Sequence, residues 1–243
     1  MKVSVAMATY NGEKYLKPQI DSILSQLSME DELIISDDHS SDQTLSIIKQ
    51  YAKQDSRVKL YMNEESGVTS NFENAIKHTQ NDIIFLSDQD DVWKPEKVET
   101  VKAYFEKSPT VQMIMSDITV VDNELKPTIE SFYEFRGSRS GVLKNIIKNS
   151  YIGCAMSFRK ELKPSILPIP RNVPMHDMWI GLVADMNKSA LLIPEKLIYY
   201  RRHEATVTSV ENTSSLNEKI LWRFQISSLL LKSFLKKRRM MQE

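Results

Sequence analysis

Short apolar runs alternate along the first ninety residues with longer stretches whose apolar positions return every three or four residues. Val3 to Ala8, Leu33-Ile34-Ile35, Val58 to Met62 and Ile83-Ile84-Phe85-Leu86 read as strands. Between them, Glu13 to Leu27 carries Leu16, Ile20, Ile23, Leu24 and Leu27 at helical spacing. Leu45, Ile48, Tyr51 and Ala52 mark a second helix, and Phe72, Ala75 and Ile76 a third. Strands alternating with helices predict an α/β fold, a mostly parallel central sheet flanked by helices. Further on the pattern loosens. Pro95 to Glu106 and Met178 to Met186 read as helices; Val111 to Met115, Tyr151 to Phe158, Leu191 to Ile193 and Leu197 to Tyr200 read as strands. Residues 127–150 and the proline-rich 163–175 read as loops, and no repeat or low-complexity linker interrupts a core expected to run to about residue 210.

This reading turns position into chemistry, because ligands of open α/β sheets gather outside the carboxyl ends of the strands. Thr9, Tyr10 and Asn11 end the first strand, Asp37 and Asp38 the second, and Asp88, Asp90 and Asp91 follow the fourth. Three carboxylates within the four residues Asp88-Gln89-Asp90-Asp91 repel one another unless a cation neutralises them, and oxygen ligands suit Mg²⁺ or Mn²⁺. A solvated acidic turn is the plainer alternative. An EF-hand loop lacks its later glycine and terminal glutamate. Tyr10 could present its ring to a base and Asp38 could accept a base N–H, although a tyrosine at a strand end usually packs and aspartate-rich turns usually cap helices.

Composition narrows the class. The chain has 243 residues, 41% apolar and 26% charged, which excludes a disordered chain. No apolar stretch approaches the ~18 residues of a spanning helix, and the first residues read as a strand, so neither a membrane bundle nor a secretory leader is expected. The single cysteine, Cys154, suits a reducing cytoplasm.

The zero net charge hides an asymmetry. Residues 217–243 hold seven basic and two acidic side chains, so a tail of +5 offsets a body of −5. That tail reads as a helix with Ile220, Leu221, Phe224, Leu231, Phe234 and Leu235 among the basic residues, ending Lys236-Lys237-Arg238-Arg239. Such a segment fits an anionic membrane surface; a helix packed on the body or on a second copy in a homodimer is the alternative. Nucleic acid is not expected as a partner, since the body is acidic.

Three motifs carry a resemblance. Ala8-Thr9-Tyr10-Asn11-Gly12, Asp37-Asp38-His39-Ser40-Ser41-Asp42 and Ser87-Asp88-Gln89-Asp90-Asp91-Val92-Trp93 have the order and spacing of family-2 glycosyltransferases, which have the GT-A nucleotide-sugar-binding fold. The last motif, with Gly67-Val68-Thr69-Ser70-Asn71-Phe72 before it, looks most like bacterial rhamnosyltransferase-type members. The resemblance covers about residues 1–209. It implies a catalytic domain over 1–210, with a nucleotide-binding half (1–105) and an acceptor-binding half (106–210), followed by the basic tail at 211–243.

It also implies roles. Tyr10 lies against a pyrimidine and Asp38 bonds its N3–H. Asp90 ligates the metal, Asp88 contacts the ribose or the metal shell, and Asp91 is an additional ligand. Thr9 and Asn71 line the nucleotide pocket. In Met175-His176-Asp177-Met178-Trp179, Asp177 is the base that deprotonates the acceptor hydroxyl; helix capping is its plainer role and His176 the rival base. Tyr199-Tyr200-Arg201-Arg202-His203 resembles the family's Y-R-x-H ending, with His203 reaching the metal and Arg201 or Arg202 pairing with the diphosphate. His39 replaces the usual glycine of the D-D-G-S turn, which questions the local backbone because histidine lacks glycine's freedom at positive φ.

The expected activity is metal-dependent, inverting transfer from dTDP-L-rhamnose or a UDP-sugar to a growing bacterial cell-surface polysaccharide or lipid-linked saccharide. It would take place in the cytoplasm, with the enzyme peripheral at the inner face of the plasma membrane. Two alternatives stand beside it. A sugar-1-phosphate nucleotidyltransferase would need a glycine-rich N-terminal loop, yet Gly12 is the only glycine before Gly67. A catalytically silent nucleotide-sugar-binding scaffold would be expected to have lost its base or metal ligands.

Overall fold

In the computed structural model, which describes residues 1–202, 223 and 225–230, the chain begins β1 (Val3–Thr9), α1 (Leu16–Leu24), β2 (Glu32–Asp37), α2 (Thr44–Gln54), β3 (Val58–Met62), α3 (Val68–His78) and β4 (Ile83–Ser87). A two-residue strand, β5 (Val92–Trp93), and α4 (Lys97–Lys107) follow. Then come β6 (Met113–Val121), β7 (Pro127–Ile129), α5 (Phe132–Arg136), α6 (Val142–Ile147), β8 (Met156–Arg159), α7 (Lys163–Ile166), α8 (His176–Met186) and β9 (Ala190–Arg201).

Among the described residues the strands form one sheet in the order β3-β2-β1-β4-β8-β6-β9-β5, with β7 paired to β6. The first four strands are parallel, β8 runs against both of its neighbours, and β6 and β9 are parallel. Strands β1, β2 and β4 are buried along nearly their whole length, which is why they read as apolar runs and not as alternations. Helices α1 to α3 each bury one stripe, such as Leu16, Gln19, Ile20 and Ile23 on α1. The sheet curls. Its fourth and eighth strands approach closely enough for the rings of Phe85 and Trp93 to lie 5.5 Å apart.

The structure departs from the sequence pattern in the second half. Residues 127–150 are not a loop: they hold β7, α5 and α6, while α7 opens the 163–175 segment. Their elements are three to six residues long, too short to show a period. The expected strand from Tyr151 begins only at Met156, because Gly153–Ala155 forms a single 3₁₀ turn. The two strand-like pieces at 191–193 and 197–200 are one strand, β9. Its pairing with β6 jumps from Ser116↔Ile193 to Asp117↔Lys196, and Pro194 sits in that irregularity, where a missing N–H costs no ladder bond. Strand β6 continues past Met115 through buried Ser116, Asp117 and Thr119. Asp117 is satisfied there by Ser131 Oγ and the N–H groups of Ile118 and Tyr133.

Candidate active site

The edge of the sheet at the carboxyl ends of β1 and β2 is assembled by main-chain and side-chain locks between strand ends. Asp37 accepts from Thr9 Oγ1 and from both the N–H and the hydroxyl of Ser40. This pins the turn in which His39 has φ +61°, so histidine takes the left-handed backbone that glycine would usually supply. Asn11, at φ +46°, accepts from the Ser41 N–H while its own N–H bonds Ser40 Oγ. Asp38 receives the Gly67 N–H at 2.8 Å and Asn63 Nδ2 at 2.9 Å, which places the 63–67 turn. Thr9 is buried. Its carbonyl accepts from the Asp38 N–H and from Asn71 Nδ2. Asn71 is buried as well, and its Oδ1 is left without a partner.

Above these locks the Tyr10 ring stands 57% exposed. Its main chain is held from the acidic motif: Gln89 Oε1 accepts the Tyr10 N–H and Gln89 Nε2 donates to the Tyr10 carbonyl, both at 2.9 Å. A Cβ on Gly12 would lie 2.2 Å from Gln89 Oε1, so glycine is required beside this clamp.

The carboxylates gather behind Gln89. Oxygens of Asp88 and Asp91 and the Cys154 sulfur all lie within 4.8 Å of one another. Asp91 is fully buried; Oδ1 accepts the Arg201 N–H, and Oδ2 is left without a hydrogen-bond partner. Burial, then the charges of Asp90 and Asp88, hold the Asp91 carboxyl well above the usual range. Asp88 is pushed up to about 7 by burial and by the charges of Asp90 and Asp177. The Arg201 guanidinium is committed to its surroundings, donating from Nε to the Asp90 carbonyl and from Nη1 to the Asn123 carbonyl while lying over the Tyr15 ring. Arg202 is partly exposed, its N–H on the Val121 carbonyl. His203 lies outside the described residues.

One cation is built into this cluster. Lys97, only 1% exposed, donates to the Cys154 carbonyl at 2.9 Å and stands 4.1 Å from the Trp93 ring centroid. Burial lowers its ammonium to about 7 against the pull of Cys154, Asp91 and Asp88. Sequence reading missed it, although Lys97 sits on the same helical stripe as Val101 and Phe105, a place where lysine is conspicuous.

Asp177 lies in the first turn of α8 and is buried. The capping position is Met175, so Asp177 is not the N-cap. Its carboxylate accepts from the main chain of Met178 and Gly153, and burial raises it to about 7. The neighbouring His176 stacks on Phe72 at 3.9 Å between centroids, and neither ring nitrogen has a partner. Burial lowers His176 to about 3, so its ring is neutral at physiological pH. A Cβ on Gly153 would lie 2.6 Å from His176 Nε2, so this turn brings bare backbone up to α8.

The buried carboxylate of Asp91, with its orphaned oxygen, and the half-buried one of Asp88 fit a divalent cation that favours oxygen ligands. Cys154 fits it less well. Its thiol is pushed up by burial and the adjacent carboxylates, and a protonated thiol donates to oxygen better than it ligates Mg²⁺ or Mn²⁺.

Comparison with known proteins agrees with this fold. S. aureus TarS in complex with UDP-GlcNAc superposes with a TM-score of 0.74 at 20% identity, covering 97% of this chain and 67% of that one. A mannosyltransferase from Pyrobaculum calidifontis, in complex with GDP-Man and Mn²⁺, matches with a TM-score of 0.62 at 18% identity over 98% of this chain and 64% of that one. These likenesses show the GT-A architecture. In sequence, the chain is 26% identical over 210 residues to the Escherichia coli UDP-Glc:alpha-D-GlcNAc-diphosphoundecaprenol beta-1,3-glucosyltransferase WfgD, covering 85% of this chain and 79% of that protein. The sequence profile of glycosyl transferase family 2 matches residues 4–164, well over half of the chain. The protein belongs to glycosyl transferase family 2.

Proposed function

We propose that the chain is a metal-dependent, inverting glycosyltransferase that takes its sugar from a pyrimidine nucleoside-diphosphate donor, dTDP-L-rhamnose or a UDP-sugar. The acceptor is a hydroxyl of a growing cell-surface polysaccharide or a lipid-linked saccharide. One observation carries this reading: oxygens of Asp88 and Asp91 lie within 4.8 Å of the Cys154 sulfur, and Asp177 bonds the main chain of the neighbouring Gly153, so carboxylates from two distant stretches of chain meet at one turn.

In this reading the exposed Tyr10 ring receives the base, and Asp38, already fixed by Asn63 and Gly67, offers a remaining lone pair to its N–H. Asp90 with Asp88 and Asp91 would hold Mg²⁺ or Mn²⁺, with His203 as a further ligand. When bound, the cation supplies Lewis-acid stabilisation of the charge on the departing diphosphate. Asp177 takes the proton of the acceptor hydroxyl. The freed oxygen forms a bond to the anomeric carbon from the face opposite the phosphate. The bond from that carbon to the phosphate oxygen breaks, its electron pair leaves with the nucleotide, and the anomeric centre inverts. A carboxyl held near 7 suits this role, since a base works best with a pKa close to ambient pH. His176, neutral and packed on Phe72, is better placed to shape the wall than to compete.

Attachment of the basic tail to an anionic membrane surface belongs to the same proposal. No helix of the described residues is long and apolar enough to cross a membrane, and within the tail residues 225–230 are helical and bury Ile226 and Leu230 in the core.

The test is a panel of nucleotide sugars offered to the purified protein with Mn²⁺ or Mg²⁺, following binding and slow donor hydrolysis. Metal-dependent binding that survives Asp177→Asn while turnover disappears is the expected result. Failure to bind any nucleotide sugar overturns the proposal.

A further inference from the structure

Helices α5 and α6 turn large apolar side chains outward as well as inward. Phe132, Tyr133, Val142 and Ile146 pack on the core, while Phe135, Leu143 and Ile147 are 57%, 78% and 66% exposed. A solvated helix face is ordinarily polar. Here the outward positions of α6 and the residue after it pair Leu143 with Lys144 and Ile147 with Lys148, all exposed. Across residues 132–148 there are four basic side chains, Arg136, Arg139, Lys144 and Lys148, against the single acid Glu134, in a chain whose total charge is zero. Among the described residues none of the four forms an ion pair.

The patch is held together. Lys148 Nζ donates to the Arg136 carbonyl at 2.8 Å, joining the ends of the two helices, and Arg223 Nη2 donates to the Ile147 carbonyl at 2.9 Å, adding a fifth cationic side chain at its border. It is also tied to the catalytic helix. The Gly141 N–H and Asn145 Nδ2 both reach Asp185 Oδ2 near the end of α8. Asp177 stands in the first turn of that helix, eight residues and therefore about 12 Å away along its axis.

We infer that the α5–α6 face is a docking surface for an anionic lipid bilayer, seating the enzyme with Asp177 about one helix length from the headgroups. Exposed apolar side chains interleaved with lysines that form no ion pair match such a surface on both counts: the chains of Phe135, Leu143 and Ile147 enter the headgroup boundary while the lysine stems lie along it and their ammonium groups meet lipid phosphates. A soluble protein partner would need an acidic rim around an apolar centre, and a second copy of this face would bring like charges together. The inference rests on the glycosyltransferase reading only in giving the bilayer a purpose, the presentation of a lipid-linked acceptor.

The experiment uses the full chain. Cys154 is the sole cysteine and is fully buried, so Leu143→Cys can be labelled selectively with an environment-sensitive fluorophore. The expected result is a blue shift with vesicles of phosphatidylcholine and phosphatidylglycerol, absent with phosphatidylcholine alone and reversed by salt. Lys144→Glu with Lys148→Glu weakens co-sedimentation about tenfold or more, since each lysine near an anionic surface contributes ~1 kcal/mol. Thermal melting shows that this variant folds, and nucleotide-sugar titration of wild type and variant keeps donor binding separate from lipid binding. No shift with anionic vesicles, or co-sedimentation unchanged in the charge-reversed protein, overturns the inference. So does a wild-type dimer that Leu143→Ser with Ile147→Ser dissociates, because the face would then be a contact between copies. Absence of donor binding with vesicle binding intact would sink the activity and leave the surface standing.

Discussion

The side-chain amide of Gln89 bridges the main chain of Tyr10, accepting its N–H and donating to its carbonyl, so the acidic motif directly fixes the residue proposed to carry the base. Gln89→Ala removes both bonds, worth about 1 kcal/mol each, and is expected to weaken nucleotide binding roughly tenfold and to lower the melting temperature by about 4–8 °C. Gly12→Ala should have the same effect by driving the amide away, because the obstructing atoms belong to a flexible side chain. The two changes act on one contact, so the double variant is expected to be no worse than either alone. Isothermal titration with a nucleoside diphosphate reads all three. Additive losses would contradict the clamp.

Asp177 should leave a signature in pH. Its folded-state pKa of about 7 lies above the ordinary carboxylate value, so between those values the folded protein binds more protons than the unfolded chain. Stability attributable to this group is present at low pH and lost as pH rises toward 7. Melting curves should show Asp177→Asn gaining on wild type from pH 5 to pH 8. Turnover runs the other way: wild type should lose activity as pH falls below about 7, and Asp177→Asn should retain less than about one hundredth of it at any pH. A wild-type profile flat down to pH 5 would remove Asp177 from the role of base.

Lys97 is the internal counter-charge of the carboxylate cluster. Lys97→Met preserves most of its packing on Trp93 but removes the cation that pulls on Asp88 and Asp91 and leaves the Cys154 carbonyl without its donor, and is expected to cost about 1–3 kcal/mol. If Asp88 and Asp91 hold a divalent cation, Mn²⁺ should restore more stability to this variant than to wild type. Chemical denaturation with and without Mn²⁺ measures both.

Gly153 meets a less forgiving neighbour than Gly12 does. The atom closest to an added Cβ belongs to the His176 ring, which is held against Phe72. Gly153→Ala should therefore cost about 1–3 kcal/mol. It should also shift the main chain that bonds Asp177, lowering kcat with donor KM unchanged. Steady-state kinetics of the variant would show this split.

Much of the framework was legible because β1, β2 and β4 are buried on both faces and α1 to α3 on one, so burial left a period in the residues. The strand-end rule likewise brought Tyr10, Asp38 and Asp88 to one edge before any coordinates. What escaped depends on partners distant in sequence. Asp117 interrupts an apolar run yet lies within β6, because Ser131 and Tyr133 satisfy it from a segment read as loop. Gln89 looked like a spacer between aspartates; its bond to residue 10 exists only once β1 and β4 are neighbours. Cys154 entered the reading as a redox marker and lies instead against Asp88 and Asp91.

The acidic motif also has a mechanical consequence. It joins β4 to β5, the fourth and eighth strands in the order of the sheet. Laid flat, those strands would be four spacings or about 19 Å apart, while the five steps from Ser87 to Val92 reach at most about 18 Å. The segment is therefore a chord drawn across an arc, and the sheet must bow to accept it. The residues proposed to meet the cation are also the ones that hold the bow, so an insertion among them would slacken the curvature of the cleft as well as misplace a ligand.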